Sequence, residues 1–404
     1  MGLRTPTFAE LVGDEEDFFT NYFTRRPLYR PGALTGDMRE ILSIADMDDI
    51  VHQEGLRSSL FRMLGQGTGV AGPSLTKRLY LRREGRSLDD ALDADKIYAH
   101  FRAGKTLIHA GLNHTRPNLR ALCAVLTEKF AAPSEAVAFL TPAGKQAASA
   151  HSDPSDVYVI QLAGTKHWQV WPTPESRRMG EDREYVVSEL PSPVLTVSLR
   201  PGDVLYLPYG TPHVAAAEEE VSLHLTMVTL APSWSQLLLS VVERILAEKE
   251  EFWSVPRVGG TPADLEATVK EKLRELASRL DGLDIRDALG RVVSAGRSYE
   301  GVGRGSYFQE MAAVDHLDED ALVVGVADSV TFQGSADGVA VVTVGGNKLR
   351  MPAGTASALR AAASGVTPFR AADFLQDRTA EHSLASVKQL VRLGALRVAN
   401  GEPP

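Results

Sequence analysis

Residues 151–171 read HSDPSDVYVIQLAGTKHWQVW, and residues 199–215 read LRPGDVLYLPYGTPHVA. Both are runs of Val, Ile, Leu, Tyr and Trp broken by Gly and Pro, residues that respectively fit a pleated surface and end one. The pattern extends on either side, from EAVAFLTP at 135–142 through PVLTVSL at 193–199 to VSLHLTMVTL at 221–230. Short strands at such close spacing predict a β-sandwich or a small barrel. The segment VYVIQL at 157–162 is almost unbroken in its apolar character, which predicts a strand covered on both faces.

The polar residues inside these runs carry the chemistry. His151 and Asp153 are two apart, so on an extended segment both side chains project to one face. His213 stands 60 positions beyond Asp153, at the start of a strand that follows the turn Pro208–Pro212. Two imidazoles and one carboxylate on one face of a divalent metal are the donor set of non-haem Fe(II) oxygenases, which leave further positions open. A lone H-x-D pair says little in a chain with 10 His and 52 Asp and Glu. The turn, strand and second turn that deliver His213 raise its weight. Lys166, on the strand after the pair, adds a compact cation suited to a carboxylate in a partly dry pocket. Its bland alternative is an exposed strand lysine.

The 404 residues carry 43 Lys and Arg against 52 Asp and Glu, a net charge of −9. No global attraction to phosphate backbones or anionic membranes follows, so neither nucleic acid nor a membrane is an expected partner. The single cysteine, Cys123, excludes intramolecular disulfides and cysteine-built metal sites. Any metal must therefore be held by His and carboxylate. The chain has no signal-peptide core at its N-terminus and no apolar run long enough for a membrane span, which predicts a cytoplasmic protein.

Upstream of the β region, Phe18, Phe19, Tyr22 and Phe23 recur at helical spacing, Pro27 and Pro31 bracket an extended segment, and a helix is predicted through Leu119, Leu122, Val125 and Leu126 from a start at Pro117 and Asn118. Downstream of Pro232 the pattern turns helical, with an apolar stripe at Leu265, Val269, Leu273, Leu276 and Leu280 that must bury against something. From 321 onward, strands with Gly-rich turns precede three short helices and a strand, an order like a winged helix, with Ser383 as the N-cap of the third helix and Gly394 as its stop. Basic residues barely outnumber acidic ones there, a thin surface for neutralising phosphates.

Taken together, FLTPAGKQAASAHSDPSDVYVIQLAGTKHW, PGDVLYLPYGTPH, the N-terminal FFTNYF and RPL, the helical middle and the winged-helix-like end resemble the JmjC-type ribosomal oxygenases of the cupin superfamily. The resemblance runs over nearly the whole chain. It implies an α+β fold with a double-stranded β-helix core, divided into a JmjC/cupin catalytic domain at 1–232, a helical dimerisation domain at 233–320 and a winged-helix-like domain at 321–404. It implies an Fe(II)- and 2-oxoglutarate-dependent dioxygenase that uses O2 to hydroxylate a side chain in a protein or peptide, a ribosomal protein among them, and that forms a homodimer. By this resemblance His151, Asp153 and His213 are the catalytic metal ligands, Lys166 binds the distal carboxylate of 2-oxoglutarate, and Thr141 and Ser222 match positions near that cosubstrate. Val137 and Ser152 depart from the residues usual in the family, so neither histidyl nor arginyl specificity carries over.

Three other readings compete. A hydroxylase that tailors a peptide natural product would share every site residue, a cupin isomerase or hydrolase would need no Lys166, and a non-catalytic cupin and winged-helix regulator would bind a duplex. Among the remaining residues, His224 alternates with Ser222 and Thr226 and reads equally as a hydrogen-bonded core histidine or a pocket residue. Trp168, Trp171, Tyr158 and Tyr206 read as packing residues, Cys123 as a buried thiol, and His167 points away from Lys166.

Overall fold

The computed structural model describes residues 5–283 and 307–399, apart from 54, 71, 82–84, 230, 257, 259–260, 327–329, 337, 345–346 and 365–366. The part of the expected helical middle at 284–306 lies outside the described residues. The chain divides into two compact units, 1–300 and 301–404.

The first unit is a two-sheet jelly roll. Its strands are β1 (Leu28–Arg30), β2 (Phe61–Gly65), β3 (Thr68–Gly69), β4 (Thr76–Leu81), β5 (Arg86–Leu92), β6 (Thr106–His109), β7 (Ser134–Thr141) and β8 (His151–Ser152). They continue with β9 (Asp156–Ala163), β10 (Lys166–Val170), β11 (Arg183–Glu184), β12 (Leu195–Leu199), β13 (Val204–Leu207), β14 (His213–Ala217) and β15 (Ser222–Thr229). One sheet has the order β1-β13-β9-β15-β7-β6-β2-β3, the other β11-β8-β14-β10-β12, and β4 pairs only with β5. Every pairing within the two sheets is antiparallel.

The larger sheet is covered twice, as the apolar run at 157–162 predicts. On β9, Tyr158, Ile160 and Leu162 face a layer of helices that contributes Phe8, Leu11, Leu119, Leu122 and Leu126. Val157 and Val159, one residue out of phase, instead join Leu205 and Leu207 of β13 and Trp168, Val170 and Leu199 of the smaller sheet in the space between the sheets. The two-residue period of a strand thus sorts one sequence into two cores.

The helix expected near 119–126 spans Pro117–Phe130 with Pro117 in its first turn, where the missing N–H costs nothing. The aromatic run at 18–23 is not an α-helix. A short helix, Glu15–Asp17, passes into one turn of π-helix, Phe18–Tyr22. That turn sets the fully buried Phe18 ring edge-on to Tyr206 at 4.9 Å.

Beyond the jelly roll, helices Trp234–Glu248 and Pro262–Asp281 share a small cluster in which Val241 and Ile245 meet Leu276 and Leu280. The other half of the predicted stripe finds no such cover: Val269 is 47% and Leu273 58% exposed.

The second unit has its own core, built from Val323, Val342, Leu359, Val387, Leu390 and Leu396. Helices Ala353–Ser364 and Ala380–Arg392 pack with two three-stranded sheets, and the segment PFRAADFLQ at 368–376, the second of the three helices expected here, supplies instead a two-residue strand and one turn of 3-10 helix. The third helix begins earlier than Ser383 suggests. Thr379 accepts from the His382 N–H as the cap, and Ser383 lies fully buried one turn inside, bonded to both backbone groups of Leu375. Gly394 ends this helix at φ +73°, a backbone conformation that favours glycine.

Ile160 is fully buried against the helical layer. Ile160→Ala should lower stability by about 2–5 kcal/mol, the usual result of deleting a large buried aliphatic side chain, read as a shift in the urea midpoint followed by near-UV circular dichroism.

Candidate metal centre

β8 is only two residues long, and its partners fix what it presents. His151 lies directly opposite His213 in the β8–β14 pair, while β11 closes the other side with Glu184 opposite His151. The two rings are 4.4 Å apart by their centroids. Asp153 follows immediately, with Oδ1 3.8 Å from His151 Nε2 and Oδ2 3.6 Å from His213 Nε2. One ligand atom from each of the three residues lies within 4.8 Å of the other two. The three groups that the sequence separates by up to 62 positions do converge.

The ring orientations suit a metal. His151 Nδ1 is 2.9 Å from the Ser149 carbonyl and His213 Nδ1 is 3.0 Å from the Thr211 carbonyl. A carbonyl only accepts, so each Nδ1 carries a proton and each Nε2 is the nitrogen turned toward Asp153. That is the arrangement in which histidine ligates, its remote nitrogen tied to backbone. Burial holds the His213 imidazole below its usual pKa, against the opposing pull of Asp153, and so favours the neutral, ligating form.

The cluster opens into a cavity of about 640 Å³ between the sheets. Phe139, Val159, Trp168 and Ala215 give it apolar walls, and Lys166, His224 and Thr226 give it polar ones. Lys166 is 2% exposed and forms no ion pair among the described residues. Its Nζ is 3.1 Å from Thr141 Oγ1 and 3.2 Å from His224 Nδ1. Burial pulls its pKa down to about 7. A lone ammonium is costly in such a place unless an anion arrives to meet it.

Thr141 belongs to this cluster and also accepts from Thr106 Oγ1 at 3.2 Å. Ser222 lies opposite Thr141 in the β15–β7 register and uses its hydroxyl to accept from Gln161 Nε2 at 2.9 Å. His224, left open by the sequence, lines the cavity. It is 3% exposed and stacked on Phe139 with centroids 4.7 Å apart and planes 6° from parallel. Burial, then the Lys166 charge, drives its pKa well below the usual value, so it offers Nδ1 as an acceptor to Lys166. Trp168 packs in the inter-sheet core and lines the cavity as well, its ring stacked near His213 at 5.7 Å.

Comparison with known proteins agrees with this geometry. Residues 112–237 match the model of the JmjC domain. The match covers this stretch alone. It takes in β7 to β15 and with them every residue of the cluster and its cavity lysine. The chain is 28% identical over 250 residues to the bifunctional lysine-specific demethylase and histidyl-hydroxylase NO66 of Dictyostelium discoideum, covering 61% of this chain and 45% of that protein. It is 29% identical over 260 residues to human ribosomal oxygenase 1, covering 59% of this chain and 39% of that one. The chain thus spans less than half the length of these relatives. The structure of YcfD, a ribosomal oxygenase from Escherichia coli in complex with cobalt and 2-oxoglutarate, shares the fold at a TM-score of 0.56 and 19% identity, covering 96% of this chain and 99% of that one. The resemblance to JmjC-type ribosomal oxygenases implied by the sequence stands.

Because His151 is only half-buried, replacing it removes a donor without opening a core cavity. His151→Ala should abolish Co(II) binding in titration calorimetry; binding at wild-type strength would take this residue out of the centre.

Proposed function

We propose that the protein is an Fe(II)- and 2-oxoglutarate-dependent oxygenase that hydroxylates a side chain in a polypeptide, with a ribosomal protein as the substrate class to which the named relatives point. The observation that carries this reading is one cavity holding both an open cluster of two histidines and a carboxylate and a buried lysine that has no counter-ion among the described residues. Iron(II), with 2-oxoglutarate and O2, supplies the oxidising power that converts C–H to C–OH while the oxo acid leaves as succinate and CO2.

The chain's own part is to bind, orient and exclude water. His151, Asp153 and His213 would hold the metal from one side and leave the cavity side for cosubstrate and substrate. Lys166 would meet the distal carboxylate, and the hydroxyl of Thr141 and Nδ1 of His224 aim its ammonium. Ser222 would act on this seat only at one remove, through Gln161. Phe139, Val159 and Trp168 keep the space dry, which strengthens each of these polar contacts.

The proposal extends to the rest of the chain as a catalytic part at 1–232, a helical part at 233–320 and a winged-helix-like part at 321–404. Helices Trp234–Glu248 and Pro262–Asp281 leave Trp234 79%, Leu238 57%, Leu239 57% and Leu273 58% exposed, a surface suited to a second copy in a homodimer. In the last unit Lys388 donates to the Asp315 carbonyl and Arg392 pairs with the Asp315 carboxylate, so the basic groups of the third helix are engaged within the unit. That favours a docking role over duplex binding. No described helix is long and apolar enough to cross a membrane, and a single buried cysteine, Cys123, suits the reducing cytoplasm.

Purified protein with Fe(II) and 2-oxoglutarate should add one oxygen atom, about 16 mass units, to a substrate polypeptide; modification of a peptide natural product and not of ribosomal proteins would redirect the substrate. Lys166→Ala should raise the KM for 2-oxoglutarate about 10- to 100-fold, since a hydrogen bond to a charged group contributes about 1.5–3 kcal/mol. The lysine also sets a pH signature. At pH 8, above its value of about 7, the free amine is mostly neutral, and an incoming carboxylate favours the charged form. Binding should therefore take up a proton at pH 8 and none near pH 5, seen in calorimetry as a dependence on buffer ionisation enthalpy. Leu273→Glu should shift the protein from dimer to monomer in sedimentation velocity.

A further inference from the structure

The turn that delivers His213 is gripped from two sides by residues that do not line the cavity. The Tyr209 N–H donates to Asp156 Oδ1 at 3.2 Å, and the Tyr209 carbonyl accepts from Arg177 Nε at 2.8 Å. The next residue, Gly210, donates its N–H to the Asp153 carbonyl at 2.9 Å. The one after, Thr211, offers the carbonyl that orients His213 Nδ1 at 3.0 Å. Three consecutive residues thus tie the clamp to two of the three metal-ligating groups.

Both grips are anchored elsewhere. Arg177 also donates to the Pro174 carbonyl at 2.5 Å and to the Thr24 carbonyl, and its guanidinium lies 4.3 Å over the Tyr209 ring. Asp156, 1% exposed, accepts a second bond from Tyr206 Oη at 2.8 Å, and that same oxygen accepts the Thr24 N–H at 3.0 Å. Gly210 has φ +73°, and a Cβ there would lie 2.7 Å from Arg177 Cδ, so the arginine stem occupies the place of a side chain. A planar guanidinium can hold carbonyls in a fixed fork as an ammonium cannot.

We propose that Arg177 is a positioning residue for the metal centre: it locks Tyr209–Thr211 against Asp156 so that Asp153 and His213 keep the separation a metal requires. This rests on the metal-centre reading above. Ligands carried on a turn must be held to within about half an ångström of their working geometry, and removing outer support of this kind typically weakens metal affinity on the order of 10–100-fold.

Full-length wild-type protein, Arg177→Met and Arg177→Lys can be titrated with Co(II) by calorimetry and visible absorption, and melted without metal. Both variants are expected to bind on the order of 10–100-fold more weakly, with an altered d–d band, while the metal-free melting temperature falls by no more than about 4 °C. If Arg177→Met does not fold, Arg177→Lys decides, because it keeps the charge and stem and lacks the fork. Wild-type affinity and band in Arg177→Lys overturn the proposal. A wild-type protein that binds no Co(II) removes the metal reading itself, and this inference with it.

Discussion

His151 and His213 face each other across a single antiparallel pair, and the position of that pair determines the rest of the site. β8 contributes only two residues, so it is held less by its own ladder than by the neighbours that flank it, β14 and β11. A slip of one residue would turn one imidazole to the opposite face. The register is fixed because β14 is locked along its whole length to β10, whose Lys166, Trp168 and Val170 must face inward while His167 and Gln169 face out. The alternation that buries Trp168 also carries Lys166 into the cavity, and the β10–β14 register sets His213 opposite Val170 at the other end of the pair.

The electrostatics follow from that burial. Lys166, His213 and His224 sit in one low-dielectric space, and all three are pushed toward their neutral forms, chiefly by desolvation. Neutral imidazoles are what a metal and a lysine donor need from their neighbours. The lysine differs in kind, since an anion beside it would favour its charged form. The cavity is therefore better matched to a negatively charged guest than to water.

Much of this was legible in the chain. The two-residue spacing of His151 and Asp153, the turn before His213 and the unbroken apolar character of 157–162 each map directly onto the pairing and the double coverage observed. His224 was ambiguous for a physical reason: a histidine alternating with Ser222 and Thr226 satisfies a buried strand face whether that face meets packed side chains or a hollow. Asp156 and Arg177 gave less signal still, because a carboxylate and a guanidinium that bond to backbone groups from distant segments leave no local pattern. The same limit explains Ser383, which looked like a cap but is buried to bond Leu375, and Phe18–Tyr22, whose helical spacing does not distinguish an α from a π turn. Of the apolar stripe at 265–280, Leu276 and Leu280 are covered by Val241 and Ile245, while Val269 and Leu273 stay exposed.

The larger sheet keeps two kinds of chemistry on its two faces. Toward the helices β7 and β15 present Ala136, Ala138, Leu223, Leu225 and Met227, while toward the cavity they present Val137, Phe139, His224, Thr226 and Val228. Residues that secure the scaffold and residues that meet a guest therefore alternate along the same strands without sharing neighbours. Substitutions on the hollow side of these two strands leave their helix-facing core in place, so the shape of the cavity can change while that core stays the same.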